Sequence, residues 1–178
     1  MNLYLKQSVF TIRDRLTFFD QSQRAVYHVT GSLFAVPRRL DITEAGGGRR
    51  LMQVRLRLFT LFRTYTLRDS TQGNRTIGTI RRRFTLTKSF CVRINGERLR
   101  LKGSLFGFQF ALLNKAGETL LNIRKRLIAW GDTYEVFIDD TKINPEIAAS
   151  ICVAFDSAVH GGSSKVTRRR RGRQVKRR

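Results

Sequence analysis

Phe90-Cys91-Val92-Arg93-Ile94-Asn95-Gly96-Glu97-Arg98-Leu99-Arg100-Leu101-Lys102 reads as two alternating runs joined by Asn-Gly. Alternation with a period of two puts apolar residues on one side of an extended chain and polar ones on the other. Asn-Gly between two such runs is the strongest short signal for a tight hairpin, because both turn residues must take positive φ. The stretch therefore predicts a hairpin with strands over 90–94 and 97–106. One of its sides is dry, the other wet and basic.

The same plan recurs on both sides of this hairpin. Leu5-Lys6-Gln7-Ser8-Val9-Phe10 resembles Leu101-Lys102-Gly103-Ser104-Leu105-Phe106, and Gly31-Ser32-Leu33-Phe34 repeats its ending. Units close on Phe10, Phe34, Phe59, Phe84, Phe106 and Leu127, at separations of 24, 25, 25, 22 and 21. Between these closures, 16–20 leads through Gln21-Ser22-Gln23 into 25–34, and 39–43 leads through Gly46-Gly47-Gly48 into 50–59. Likewise 64–68 leads into 75–84, and 108–113 into 118–127. Val54-Arg55-Leu56-Arg57-Leu58 sets two arginines against three aliphatics, which repeats the dry and basic sides.

Five hairpins give ten strands. Residues 3–10 look like a second strand without a first, and 133–138 like a first strand without a second. Pairing these two orphans gives twelve strands and a closed ring, which removes the edges that invite aggregation. The alternative is an open sandwich with two edges. The expected class is all-β with one helix: a closed antiparallel β-barrel of about twelve strands around a C-terminal hydrophobic α-helix. Asn144 is a good N-cap, Pro145 a good first helical residue, and Glu146 suits the positive helix end. From Ile147 to Val159 the only polar residues are Ser150, Asp156 and Ser157, so the helix should be buried on most sides. A twelve-stranded lumen is too wide for strand side chains alone, and such a helix would plug it. The alternative role is a membrane anchor.

Thirty-five Lys and Arg stand against 13 Asp and Glu, a net charge of +22. Nine of the basic residues lie in 165–178, which holds no acid; the rest of the chain still carries +13. A field of that sign attracts polyanions, or it serves solubility. Gly161-Gly162-Ser163-Ser164 starts a linker, so 1–160 is expected to be the folded domain and 161–178 a disordered basic tail. Cys91 and Cys152 form no disulfide framework or zinc pattern and read as two buried thiols. The first ten residues lack the apolar run of a signal peptide. No stretch reaches the ~20 apolar residues that span a bilayer. The expected location is cytoplasmic or at a membrane surface.

Two segments resemble a known family. Leu3-Tyr4-Leu5-Lys6-Gln7 is similar to the opening of LURP-one-related proteins, and Trp130-Gly131-Asp132-Thr133-Tyr134-Glu135-Val136 to their most recognisable stretch. The apolar helix fits as well, and the resemblance runs over about 1–159. It implies the tubby C-terminal-like fold, a twelve-stranded barrel around a central helix shared with phospholipid scramblases. The tubby proteins bind phosphoinositides through basic residues, and the resemblance carries none of those positions over to this chain one by one. The cysteine-rich run and Pro-rich arm of scramblases are absent from this sequence.

Chemistry is harder to find. No HExxH, paired CxxC, GxSxG or Walker motif occurs. His28, in Val26-Tyr27-His28-Val29, reads as an ordinary sheet histidine, and Gly46-Gly47-Gly48 as a turn rather than a phosphate loop. Asp132 and Glu135 are the best carboxylates; local amides and a nearby arginine are their expected partners. Asp139-Asp140 reads as a loop, since a cation site needs more oxygen ligands. No enzyme activity, cofactor, metal or small-molecule substrate is expected, and the chain is taken as a monomer. The leading expectation is a binding or adaptor module for anionic phospholipid, using the basic strand ends Arg55, Arg57, Arg81, Arg82, Arg83, Arg124, Lys125 and Arg126. The alternative is non-specific nucleic-acid binding through Arg168, Arg169, Arg170, Arg171, Arg173, Lys176, Arg177 and Arg178. An enzyme or ligand carrier using the barrel mouth is the third possibility.

Overall fold

A computed structural model describes residues 1–7, 16–32, 39–58, 60–61, 63–82, 90–104, 109–128 and 131–160. Twelve strands and one helix are built from them. The strands are β1 (Asn2–Gln7), β2 (Leu16–Phe19), β3 (Ala25–Ser32), β4 (Arg39–Glu44), β5 (Arg50–Arg57) and β6 (Thr64–Asp69). They continue with β7 (Arg75–Arg82), β8 (Phe90–Ile94), β9 (Glu97–Ser104), β10 (Gln109–Leu113), β11 (Thr119–Ile128) and β12 (Gly131–Ile138), and α1 spans Pro145–His160.

Every strand pairs antiparallel with its sequence neighbour, and β1 pairs with β12, so the sheet closes. The two orphan strands do complete each other: Asn2 faces Phe137 and Leu5 faces Tyr134. The Asn95-Gly96 turn has the positive φ values, 49° and 84°, that its sequence required. Closure also gives the barrel two distinct ends. At one end sit the tight turns, such as 20–24 and 45–49. At the other sit the last residues of the odd strands and the first residues of the even ones. The closing residues Phe10, Phe34, Phe59, Phe84 and Phe106 lie outside the described residues. Leu127 falls within β11.

The repeated Gly-Ser has a structural reason at this second end. Gly31 and Gly103 both take positive φ, 152° and 108°. Each faces the first residues of the next strand so closely that a Cβ would strike backbone. At Gly31 it would run into the Arg39 carbonyl oxygen; at Gly103 it would come 2.5 Å from that of Gln109.

Alternation places Leu3, Leu5, Val29, Ile42, Val54, Leu67, Ile80, Val92, Leu112 and Ile123 inward, all nearly or wholly buried. They close around α1, whose Ala148, Ala149, Ile151, Val153 and Ala154 have no exposure at all. Small helix residues let the wall approach, and a fully buried Ile or Phe is worth about 1.5–3 kcal/mol. Asn144 caps the helix as expected: its Oδ1 accepts from the Glu146 N–H at 2.8 Å. The Ser150 hydroxyl donates to the Glu146 carbonyl at 2.8 Å, which satisfies it inside the core. Among the described residues no helix is long and apolar enough to cross a membrane.

The helix runs from the turn end toward the opposite end. Phe155, in its last turns, meets Phe90 edge to face at 5.2 Å and Phe110 at 5.0 Å; Phe90 is the first residue of β8 and Phe110 the second of β10. The Tyr134 hydroxyl donates to Asp156 at 3.2 Å and pins the same helix end to β12.

Two expectations need correction. Leu58 does not extend the dry side of β5: it lies past the strand and is 39% exposed. Cys91 is half-buried rather than buried, since its place in β8 alternates outward from Val92; Cys152 is buried in the helix.

Candidate anion-binding face

The outer wall is set by the residues that alternate with the core. On β5, Val54 and Leu56 turn inward and Arg55 and Arg57 outward. On β6, Tyr65 and Leu67 turn inward, leaving Thr66 and Arg68 outside. On β8 and β9, Val92 and Leu99 turn inward while Arg93, Arg98 and Arg100 are exposed.

Register lines these residues up across strands. Arg55 faces Thr66, Thr66 faces Thr79, Thr79 faces Arg93, and Arg93 faces Arg98. One rung nearer the strand ends, Arg57 faces Thr64 and Thr64 faces Arg81. One rung nearer the turns, Arg68 faces Thr76. The wall from β5 to β9 therefore carries Arg55, Arg57, Arg68, Arg81, Arg93, Arg98 and Arg100, and the carboxylates of these strands, Asp69 and Glu97, stand at their turn ends. Short threonines between the arginines leave an open groove of about 580 Å³ over β5–β7. Arg55, Arg57 and Arg68 edge it, with Thr66, Thr76 and Thr79 beside them.

Carboxylates are instead spent at the turn end, on their own loops. Asp69 accepts from the Thr71 hydroxyl at 2.6 Å and from the Thr71 and Gln72 amides; the hydroxyl bond leads in holding it below its ordinary value of 3.8. Glu97 accepts from the Lys115 amide at 3.0 Å. Asp20 pairs with Arg24 at 2.9 Å, and Glu44 with Arg49 at 3.4 Å. Glu118 and Asp139 share Lys142, at 3.1 and 3.2 Å. On the neighbouring strand β4, Asp41 is held by Arg39 at 3.2 Å and by the Gln53 amide at 2.8 Å. Among the described residues, Arg55, Arg57, Arg93, Arg98 and Arg100 make no ion pair. Arginines crowded without counter-charge repel one another, and a multivalent anion relieves that repulsion with bidentate hydrogen bonds.

The sequence-predicted positions divide. Arg55, Arg57 and Arg81 come together on this wall. Arg124 does not join them: β11 lies six strands from β5, and Arg124 faces Glu135, which is buried. By their backbones alone, Arg82 ends β7, whereas Lys125 and Arg126 lie inside β11, which runs on to Ile128, and so are not strand ends. Arg83 and the tail positions from Arg168 to Arg178 lie outside the described residues. Sequence reasoning passed over Arg68, Arg93, Arg98 and Arg100. Their alternation with apolar residues was visible, but only the cross-strand register sets them beside Arg55 and Arg57.

Other chemistry is thin among the described residues. No group of three His, Cys, Asp or Glu could hold a metal ion there. His28 contacts Thr17 at 3.3 Å across the β2–β3 register, as a sheet histidine does. Burial pushes the Cys152 thiol far above its usual value, so it is no nucleophile at neutral pH. Burial, with Glu146 and Glu44 nearby, pushes the Tyr27 phenol up to about 12. A second hollow, about 850 Å³, is lined by Phe90, Leu99, Leu101, Arg98, Arg100 and Lys115 among others.

Comparisons with known proteins agree with the architecture. Residues 1–156 match the family described as LURP-one-related. YxjI, an uncharacterised protein of Bacillus subtilis (strain 168), is 25% identical over 139 residues, covering 78% of this chain and 82% of that one. An X-ray structure of a protein from Arabidopsis thaliana superposes with a TM-score of 0.63 at 11% identity, covering 89% of this chain and 91% of that one. At that identity the likeness is one of fold.

Proposed function

The chain belongs to the LURP-one-related family, and we propose that this member is a non-enzymatic binding protein that docks on anionic phospholipid surfaces. One observation carries this: seven arginines on the outer wall from β5 to β9, where the carboxylates of the same strands, Asp69 and Glu97, are set at the turn end. A flat array of fixed cations suits a flat array of phosphates. Each basic residue held near such a surface contributes about 1 kcal/mol, so neutralising three should weaken binding roughly 100-fold.

The test is sedimentation of the protein with vesicles of phosphatidylcholine alone and with added phosphatidylserine. Pelleting is expected only with the anionic vesicles, falling with salt and lost in Arg55→Ala/Arg57→Ala/Arg93→Ala. Equal pelleting with both vesicles, or full binding by the triple variant, would refute the proposal. The nine basic residues of 165–178 support the second reading, nucleic-acid binding. A chain ending at His160 separates the two: it should keep its vesicle binding, and it should lose retention on RNA if the tail carries that role.

A further inference from the structure

Between the end of β5 and the start of β6 the chain runs Arg57-Leu58-Phe59-Thr60-Leu61-Phe62-Arg63. Leu61 is 92% exposed and Leu58 39%. Of the large hydrophobic residues described, only Met1, Leu58, Leu61 and Phe137 are exposed, and Leu61 is far the most so. A single exposed leucine is unremarkable on a protein surface. These two have a particular setting. Both stand at the barrel end where the odd strands finish, and exposed Arg57 and Arg63 bracket them. Leu58 also borders the groove that Arg55, Arg57 and Arg68 edge. An apolar tip thus projects beyond a shelf of guanidinium groups, at the end away from the turns that hold Asp69 and Glu97. Water solvates the shelf well and the tip badly. The interface of a bilayer reverses this for the tip and keeps charge partners for the shelf: phosphates at headgroup depth and hydrocarbon just below.

On the premise that the arginine wall docks on phosphate-bearing membranes, we propose that Leu58 and Leu61, between β5 and β6, are the inserting residues. Leu58 and Leu61 enter the acyl boundary while the groove beside them takes one lipid phosphate. Charge complementarity selects a membrane as the occupant, since it offers phosphates to the guanidinium groups and hydrocarbon to the leucines beside them. Arginines bring the protein to the surface in a salt-dependent step, and the leucines then hold it in a salt-resistant one.

The experiment uses the full chain with Leu58→Ser/Leu61→Ser, both outside the strands, with unchanged circular dichroism as the folding control. Partition onto phosphatidylcholine–phosphatidylserine vesicles should fall about tenfold per leucine and about a hundredfold for the pair. Retention on heparin, a soluble polyanion, should not change. In a second variant, Leu61→Trp, emission should shift to the blue on adding vesicles and be quenched by brominated acyl chains, beyond the response of the parent protein. Parent-like sedimentation of the double variant, or unshifted Leu61→Trp emission under conditions where the protein pellets, would overturn the inserting role and leave the arginine wall standing. A parent protein that ignores anionic vesicles would remove the premise itself. Equal loss by the leucine variant on heparin and on vesicles would also overturn insertion, because heparin has no hydrocarbon.

Discussion

Replacing Gly31 with alanine tests the geometry of barrel closure most directly. The new methyl would run into the Arg39 carbonyl oxygen and crowd the Leu40 Cα at 3.0 Å. Both obstacles are backbone of the paired strand, so no side-chain rotation relieves them. The residue also sits at φ 152°, where L side chains are strained. Backbone strain of this sort costs about 1–3 kcal/mol, and forcing an atom into a packed site about 1–3 more. Gly31→Ala should therefore destabilise by about 2–6 kcal/mol. Gly103→Ala should do the same, since its methyl would lie 2.5 Å from the Gln109 oxygen and 3.0 Å from the Phe110 Cα. Gly46→Ala is the control, because nothing lies within 4 Å of its Cβ. It should be neutral or add up to about 1 kcal/mol by stiffening the unfolded chain. Urea unfolding followed by circular dichroism reads all three as midpoint shifts at constant slope. If Gly31→Ala unfolds within about 0.5 kcal/mol of Gly46→Ala, the close approach of β3 to β4 is wrong as described.

Three other outcomes are expected. Asn144→Ala should lower stability by about 1 kcal/mol, read as a lower melting temperature, because the Glu146 and Ile147 amides lose their Oδ1 acceptor. Asp20, Asp69, Glu118 and Asp139 are each held below their ordinary values by local hydrogen bonds. The folded state thus favours their charged forms. Their contribution is complete above the ordinary carboxylate range, whose upper value here is 4.5, and is lost as pH falls through the depressed values. A pH series of melting temperatures should be flat near neutrality and decline below about 4.5, and Thr71→Val should reduce the decline. Under native conditions a thiol reagent such as 5,5′-dithiobis(2-nitrobenzoic acid) should react with half-buried Cys91 first and with Cys152 only on unfolding; simultaneous reaction would contradict the packed helix.

Much of the barrel could be read from the chain. Strand starts at Leu16, Ala25, Arg39, Arg50, Thr64, Arg75, Phe90 and Glu97 follow directly from turn residues and alternation. The helix start follows from Asn144-Pro145. Alternation says which side of a strand a residue takes, and that was right for Arg55, Arg57 and Arg100. It does not say where a strand stops, so Leu58 was counted with the core although β5 ends at Arg57. Nor does it say which strands stand side by side around a ring. Grouping basic residues by their closing motif drew Arg124 toward Arg57, although β11 and β5 occupy opposite walls. It missed Arg93 and Arg98, which are close to Arg55 only through the β6 and β7 rungs. Pairing is a long-range property, and a local pattern carries it only where a hairpin joins the partners.

The seam between β1 and β12 joins residues 2 and 137, and the helix filling the lumen follows both. Assembly order is constrained by this. A nascent chain can zip its hairpins one by one, yet the inward leucines of β1 have no lumen partner until the last helix leaves the ribosome. The slow, long-range step comes last, and synthesis that halts before Gly131 leaves a curled sheet with its greasy side open and two raw edges. Premature stops in this stretch should yield aggregated polypeptide rather than a smaller working protein.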